Sequence, residues 1–214
     1  MSDKKTIKRA LLRVFWILVL GSVFGFFAEM MYALVYTRTL EIRQGLIYGP
    51  FIQIYGLGAL AYYLLIRNEH SPKKVFFKGM ALGGALEYIA SFIQEVVFGT
   101  ISWDYSDMFL NLNGRTSLLY CIYWGIIGVF FLKVAYPGLK KLDKFLDKKN
   151  IRIFSYILLV FVVFDVVISS MATMREDQRK KNIPAKNNVD VFLDNTYPDE
   201  YLDKIYNNNK PIPN

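Results

Sequence analysis

Residues 12–36 read LRVFWILVLGSVFGFFAEMMYALVY, an apolar run of bilayer length interrupted deep in its second half by one carboxylate, Glu29. Lys4, Lys5, Lys8 and Arg9 precede it as they would in a signal peptide. The run continues well past signal-peptide length and ends in no small-residue cleavage site, so it reads as a retained helix. Four further apolar windows follow, over 46–66, 75–98, 117–136 and 153–174. The chain therefore reads as an all-α integral membrane protein of about five transmembrane helices. Its expected parts are a basic N-terminus over 1–11, a transmembrane domain over 12–174 and a polar, Asn-rich tail over 175–214.

The 214 residues are 54% hydrophobic and 16% aromatic yet 21% charged, so the charges must be segregated into loops and tails. Nothing is left over for a soluble catalytic domain. With the N-terminus in the cytoplasm, that side receives the N-terminal cluster, Arg67, Lys73, Lys74 and Lys78, and the run from Lys133 to Arg152. The opposite loops hold only Arg38, Arg43 and Arg115. This bias predicts a cytoplasmic N-terminus and an extracytoplasmic tail in a multi-pass protein of the cell membrane. Arg175, Arg179, Lys180, Lys181 and Lys186 beside the last span are the dissenting charges. The net charge of +8 is accounted for by loops facing anionic lipid, so nucleic acid is not an expected partner. The lone Cys121 excludes an intramolecular disulfide.

Glu87, Glu95 and Asp165 join Glu29 inside apolar spans. A charge at membrane depth costs on the order of 2.5 to 3.5 kcal/mol on insertion scales, so each acid needs a partner, a proton or a task. Two readings stand. In one, the acids pair with Arg38, Arg43, Arg115 and Arg175 at the outer ends of the helices. In the other, Glu29, Glu87, Glu95 and Asp165, with Arg38 and Arg115, line an outward-opening substrate or ion path. Trp103, Asp104, Tyr105 and Asn113 lie in the densest external cluster, read either as interfacial anchors or as a binding lip beside Arg115.

Gly21, Gly25 and Glu29 follow at i, i+4 and i+8 on one helical stripe, and Glu87, Ser91 and Glu95 lie above Gly79, Gly83 and Gly84. Together with Gly49, Pro50, Gly56 and Gly125 these glycines predict close helix packing. Laying Gly25–Tyr32 over Ser91–Phe98, and Tyr55-Gly56 over Trp124-Gly125, suggests a parallel repeat of two helical hairpins plus a fifth helix, with Glu29 matched to Glu95. Gly49-Pro50 breaks the second span near its start. Either an ordinary loop precedes a tilted helix, or residues 44–49 are irregular backbone inside the membrane ahead of a short helix. In the tail, 198–206 reads as a short helix with an apolar face of Tyr201, Leu202, Ile205 and Tyr206.

The sequence has no G-x-x-x-x-G-K-[ST], H-E-x-x-H or C-x-x-C, and a single histidine, His70. No catalytic residue, metal site or cofactor is expected, and an enzyme is not the favoured class.

Gln44-Gly-Leu-Ile-Tyr-Gly-Pro50, Ile54-Tyr-Gly-Leu-Gly58, Leu86-Glu-Tyr88, Trp103-Asp-Tyr-Ser106, Asn111-Leu-Asn-Gly-Arg115 and Trp124-Gly125 together resemble a bacterial membrane-protein family called Putative ABC-transporter type IV, or CmpB-like. The resemblance covers about Gly21 to Pro137, and Asp165 to Arg175 continues it. That family carries Arg and Pro where this chain has Gln44 and Gln53. The resemblance implies a transporter or permease component, with membrane lipids, a separate ATPase subunit and a second copy of the chain as the partners to consider. The competing classes are a membrane-embedded enzyme and an accessory subunit in cell-envelope or lipid metabolism.

Overall fold

The computed structural model describes residues 2–38, 45–206 and 210–211. Arg43 and Gln44 lie outside the described residues. Among the described residues four helices are long and apolar enough to cross a bilayer: Ile7–Tyr36, Pro72–Phe98, Leu118–Leu146 and Lys149–Lys180. The protein is an all-α membrane protein. The second expected span is different, because only α2 (Gln53–Leu65) is helical there. Its 13 residues rise about 20 Å, against a hydrocarbon core of about 30 Å.

The first long helix, α1 (Ser2–Thr37), runs from the end of the bundle that holds the N-terminus, here called proximal, to the distal end. Pro50 cannot donate a backbone hydrogen bond and, with Gly49, keeps residues 45–52 out of a helix. Part of that segment nevertheless lies inside the protein, although Tyr48 and Pro50 are exposed. Leu46, Ile47 and Phe51 are buried, the last against Phe15 and Val19. The amide of Ile47 bonds Ser169 Oγ at 2.9 Å, that of Tyr48 bonds Asp165 Oδ1 at 3.0 Å, and that of Ile52 bonds the carbonyl of Ser22 at 3.2 Å. Irregular backbone survives at membrane depth only when protein supplies such partners. Since α1 continues from Ser22 to Thr37, α2 begins about 22 Å short of its distal end.

Ser71 accepts a bond from the amide of Lys74, and Pro72 occupies the first turn, which starts α3 (Pro72–Phe98) at the proximal end. Gly99, at φ 65°, ends it in the left-handed conformation. Three two-residue strands occupy the following loop: β1 (Thr100–Ile101), β2 (Asn111–Leu112) and β3 (Thr116–Ser117), with β2 antiparallel to β3. The return helix α4 (Leu118–Phe130) passes through a π turn (Phe131–Ala135) into α5 (Tyr136–Leu146) without a break.

The last long helix, α6 (Lys149–Lys180), leads into α7 (Asn188–Thr196) and α8 (Asp199–Ile205). These two fold back to bury Leu193, Tyr197, Leu202 and Tyr206 against Ala172 and Ile47. The helix read over 198–206 is present as α8, resting on protein. In α7, Asn187 caps the N-terminus by accepting from the amide of Asp190, a start that sequence reading passed over. The chain then pairs β4 (Lys210–Pro211) with β1, joining Thr100 to Pro211 and Ile101 to Lys210.

Two hairpins, α1–α2 and α3–α4, repeat one packing. A Cβ on Gly21 would lie 2.9 Å from Gly56 Cα, and one on Gly25 would meet Tyr55 ring atoms at 2.4 Å. Likewise a Cβ on Gly79 would lie 3.2 Å from Gly125 Cα, and one on Gly83 would lie 2.0 Å from Trp124 Cγ. Tyr55-Gly56 and Trp124-Gly125 are equivalent, as the sequence suggested. The outgoing helices, however, align Gly21, Gly25 and Glu29 with Gly79, Gly83 and Glu87. Glu95 is therefore not the counterpart of Glu29. The phase of close packing fixes the register, which aromatic resemblance alone had misplaced by two turns.

Candidate functional site

The returning helices bring an aromatic side chain to each of these two acids. Tyr55 donates its phenol to Glu29 Oε1 at 2.7 Å. Trp124 lies beside Glu87, whose carboxylate accepts from Thr116 Oγ1 at 2.9 Å and from the Tyr105 phenol at 3.4 Å. The two aromatic rings meet at the centre of the bundle, with centroids 5.4 Å apart. Trp124 is wedged between Gly58 and Gly83, where any side chain would collide with its ring, and Tyr62 fixes the local backbone by donating to the Trp124 carbonyl at 2.7 Å. On the distal side Tyr105 stacks on Tyr120 at 4.1 Å, and the Tyr120 and Tyr32 hydroxyls are 3.3 Å apart. Glu87 is 5% exposed, packed among these side chains.

One layer further out, Arg115 pairs with Glu95 and donates to Ser91 Oγ at 3.2 Å. The Arg115 guanidinium also lies 5.5 Å over the Phe92 ring and 5.8 Å over Tyr88. The Trp103 indole donates to the Arg115 carbonyl at 2.8 Å, Asn113 donates to the Tyr88 hydroxyl at 3.1 Å, and Asp104 Oδ1 receives both the amide and the hydroxyl of Ser106. Much of the polar chemistry of the expected lip is thus engaged within the loop and with α3. Gly114, at φ 67°, makes the turn that returns the chain to Glu87. Arg38 is elsewhere, exposed at the end of α1 with φ 56°.

Asp165 stands on a separate wall. It is fully buried, and Oδ1 holds the Tyr48 amide and the Ser169 hydroxyl, the latter at 3.2 Å. Arg175, one of the candidate partners for the intramembrane acids, is engaged by another carboxylate. It bonds both oxygens of Asp194 in α7, at 2.8 and 2.9 Å, and Arg179 bridges Asp194 and Asp199. The bond from Arg175 holds the Asp194 carboxyl down at about 2. Burial pushes the Tyr206 phenol beside Ser169 and Thr173 up to about 12. The four intramembrane acids therefore divide into a central pair, one rim ion pair and one acid that holds the broken segment in place. Among the described residues no group of three or more His, Cys, Asp or Glu side chains could hold a metal ion.

Proximal to the central pair, an apolar cleft of about 360 Å³ opens between α1, α4 and α5. Tyr55 and Tyr62 of α2 and Trp124 of α4 line it, with Phe24, Phe130 and Leu139.

The profile of the family described as Putative ABC-transporter type IV matches residues 16–170, from within α1 to within α6. The chain belongs to this family. No match was found among curated proteins or solved structures. The motifs that carry the type IV resemblance fall on the partly buried segment 45–50, on α2 and α3 around Tyr55-Gly56 and Glu87, on the loop around Arg115 and on the Trp124 wedge. Gln53, where the resemblance leads one to expect proline, donates its side-chain amide to the Gly45 carbonyl at 3.1 Å. That bond ties the broken segment to the first turn of α2, and a proline could not make it.

Proposed function

We propose that this type IV family member is a permease-like transport component whose substrate path passes the Glu29–Tyr55–Trp124–Glu87 cluster, with the N-terminal, basic end in the cytoplasm. The observation that carries the reading is the pairing of two symmetry-related carboxylates across touching aromatic rings at mid-bundle. Buried acids are expensive in a membrane, and a duplicated pair that meets at the pseudo-symmetry axis is where transporters built from repeats place a substrate site. The Glu95–Arg115 pair lies between this cluster and the distal face and acts as the outer gate. The family description is what suggests coupling to an ATPase as the energy source.

Inverted and right-side-out vesicles containing the protein are offered a defined mixture of isotope-labelled amino acids, sugars, small peptides and organic cations. Accumulation is then read by mass spectrometry. At least one class accumulates with the wild type in the presence of its energy source, and Glu87→Gln and Glu29→Gln each reduce that accumulation about tenfold while eluting as folded protein. Equal accumulation in vesicles with and without the protein, or in wild type and both variants, refutes the transport role.

A further inference from the structure

A second cleft, also about 360 Å³, lies at the proximal end between α1, the α5–α6 turn and α6. Lys8, Arg9, Lys149 and Arg152 line it, together with one carboxylate, Asp147, which already pairs with Arg9. Its floor is apolar, with Leu12 at 6% and Leu146 at 2% exposure. Ile153 and Tyr156 continue that floor onto the outer face of α6. There Ile153, Phe154, Tyr156 and Ile157 are about half exposed, as they are on a surface meant for lipid. The first turn of α6 holds no acid, and no side chain caps it, so its own amides add to the positive potential.

We propose that this cleft is a binding site for the headgroup of an anionic phospholipid. Its phosphate is held between Lys149, Arg152 and Lys8, and its acyl chains run along Leu12, Ile153 and Tyr156. Three features favour a lipid over a soluble anion. The excess positive charge sits at the ends of two membrane-spanning helices, where headgroups lie. The cleft opens onto the apolar face of α6 as well as to water. Its floor offers an acyl chain the burial that inorganic phosphate has no use for. The site is independent of the central acid pair and of the transport reading.

The full-length protein is placed in phosphatidylcholine nanodiscs containing a minority of phosphatidylglycerol, and the lipids retained on release are counted by native mass spectrometry. Lys149→Gln with Arg152→Gln is compared with Lys73→Gln and Lys74→Gln, an equal loss of charge on the other proximal loop. Each cation that holds the headgroup is worth about fivefold in binding, so the first pair loses retained phosphatidylglycerol about 30-fold, while the second, which lies outside the cleft, behaves as wild type. Lys149→Arg with Arg152→Lys keeps retention within about twofold and shows that charge at these positions is what matters. Inorganic phosphate at tens of millimolar leaves the lipid in place. Equal losses from both Gln pairs, displacement by inorganic phosphate, or no enrichment of phosphatidylglycerol over phosphatidylcholine on the wild type would each overturn the assignment.

Discussion

Replacing Gly83 by alanine should be among the most damaging single-methyl additions in the bundle. The new Cβ would lie 2.0 Å from Trp124 Cγ, 2.2 Å from its Cβ and 2.5 Å from Cδ2. Carbon atoms pack at about 3.5 Å or more, so the wedge has to retreat by about 1.5 Å. The clash is with the root of the side chain and not its tip, so a rotamer change does not relieve it. Retreat is blocked on the far side by Gly58, whose own Cβ position is 2.8 Å from Trp124 Cζ3. Overpacking of this kind costs about 1 to 3 kcal/mol, and alanine returns up to about 1 kcal/mol through helix propensity. A net loss of about 1 kcal/mol, and up to about 2, follows, expressed as a lower thermal midpoint in detergent by thiol-reactive dye or fluorescence-detected size exclusion. Gly138→Ala is the matched control, since nothing lies within 4 Å of its Cβ, and it should be neutral or stabilising. Trp124→Ala should be harmful alone yet erase most of the additional cost of Gly83→Ala, giving a positive coupling in a double-mutant cycle. If Gly83→Ala melts with Gly138→Ala, the close approach that defines the repeat is wrong.

Other perturbations probe the remaining walls. Arg115→Glu and Glu95→Arg should each destabilise the loop, and the double exchange should recover a large share of the loss, measured by the yield of monodisperse protein, because each single change leaves like charges facing in a half-buried site. Asp165→Ala strands the Tyr48 amide and the Ser169 hydroxyl and should cost about 1 to 3 kcal/mol in thermal unfolding, whereas Asp165→Asn keeps an acceptor and costs less. Docking of α7 should hold above the ordinary Asp value of 3.8 and be lost as pH falls from there through about 2, since Asp194 is depressed in the folded state and its protonation breaks the Arg175 bonds. Hydrogen exchange across 188–205 measures this, and Arg175→Ala should leave α7 exchanging fast already at neutral pH.

How much of this was legible from residues depends on which force wrote the signal. Apolar length and the placement of Lys and Arg are local properties, so the long helices α1, α3 and α6 and the proximal basic face could be read directly. Pro50 and Gly49 marked the break, but whether that break lies inside the membrane depends on Ser169 and Asp165, more than a hundred residues away. The repeat was visible in Tyr55-Gly56 and Trp124-Gly125, while its phase was carried by Gly79 and Gly83, which look like ordinary small residues until the opposing ring is known. Arg175 could have been paired with either acid by charge alone. Only the fold-back of α7, announced by the Asn187 cap, brings Asp194 to it and leaves Asp165 to the backbone of Tyr48.

The shortness of α2 has a consequence for how the protein is made. A helix of about 20 Å cannot cross the hydrocarbon on its own, and the eight residues ahead of it carry backbone groups that lipid would leave unsatisfied. Their partners arrive at different times: Ser22 is already synthesised, but Asp165 and Ser169 emerge more than a hundred residues later. Until α6 enters the membrane, this stretch must be kept in the insertion machinery or against α1. The first hairpin is thus completed only by one of the last helices to be translated.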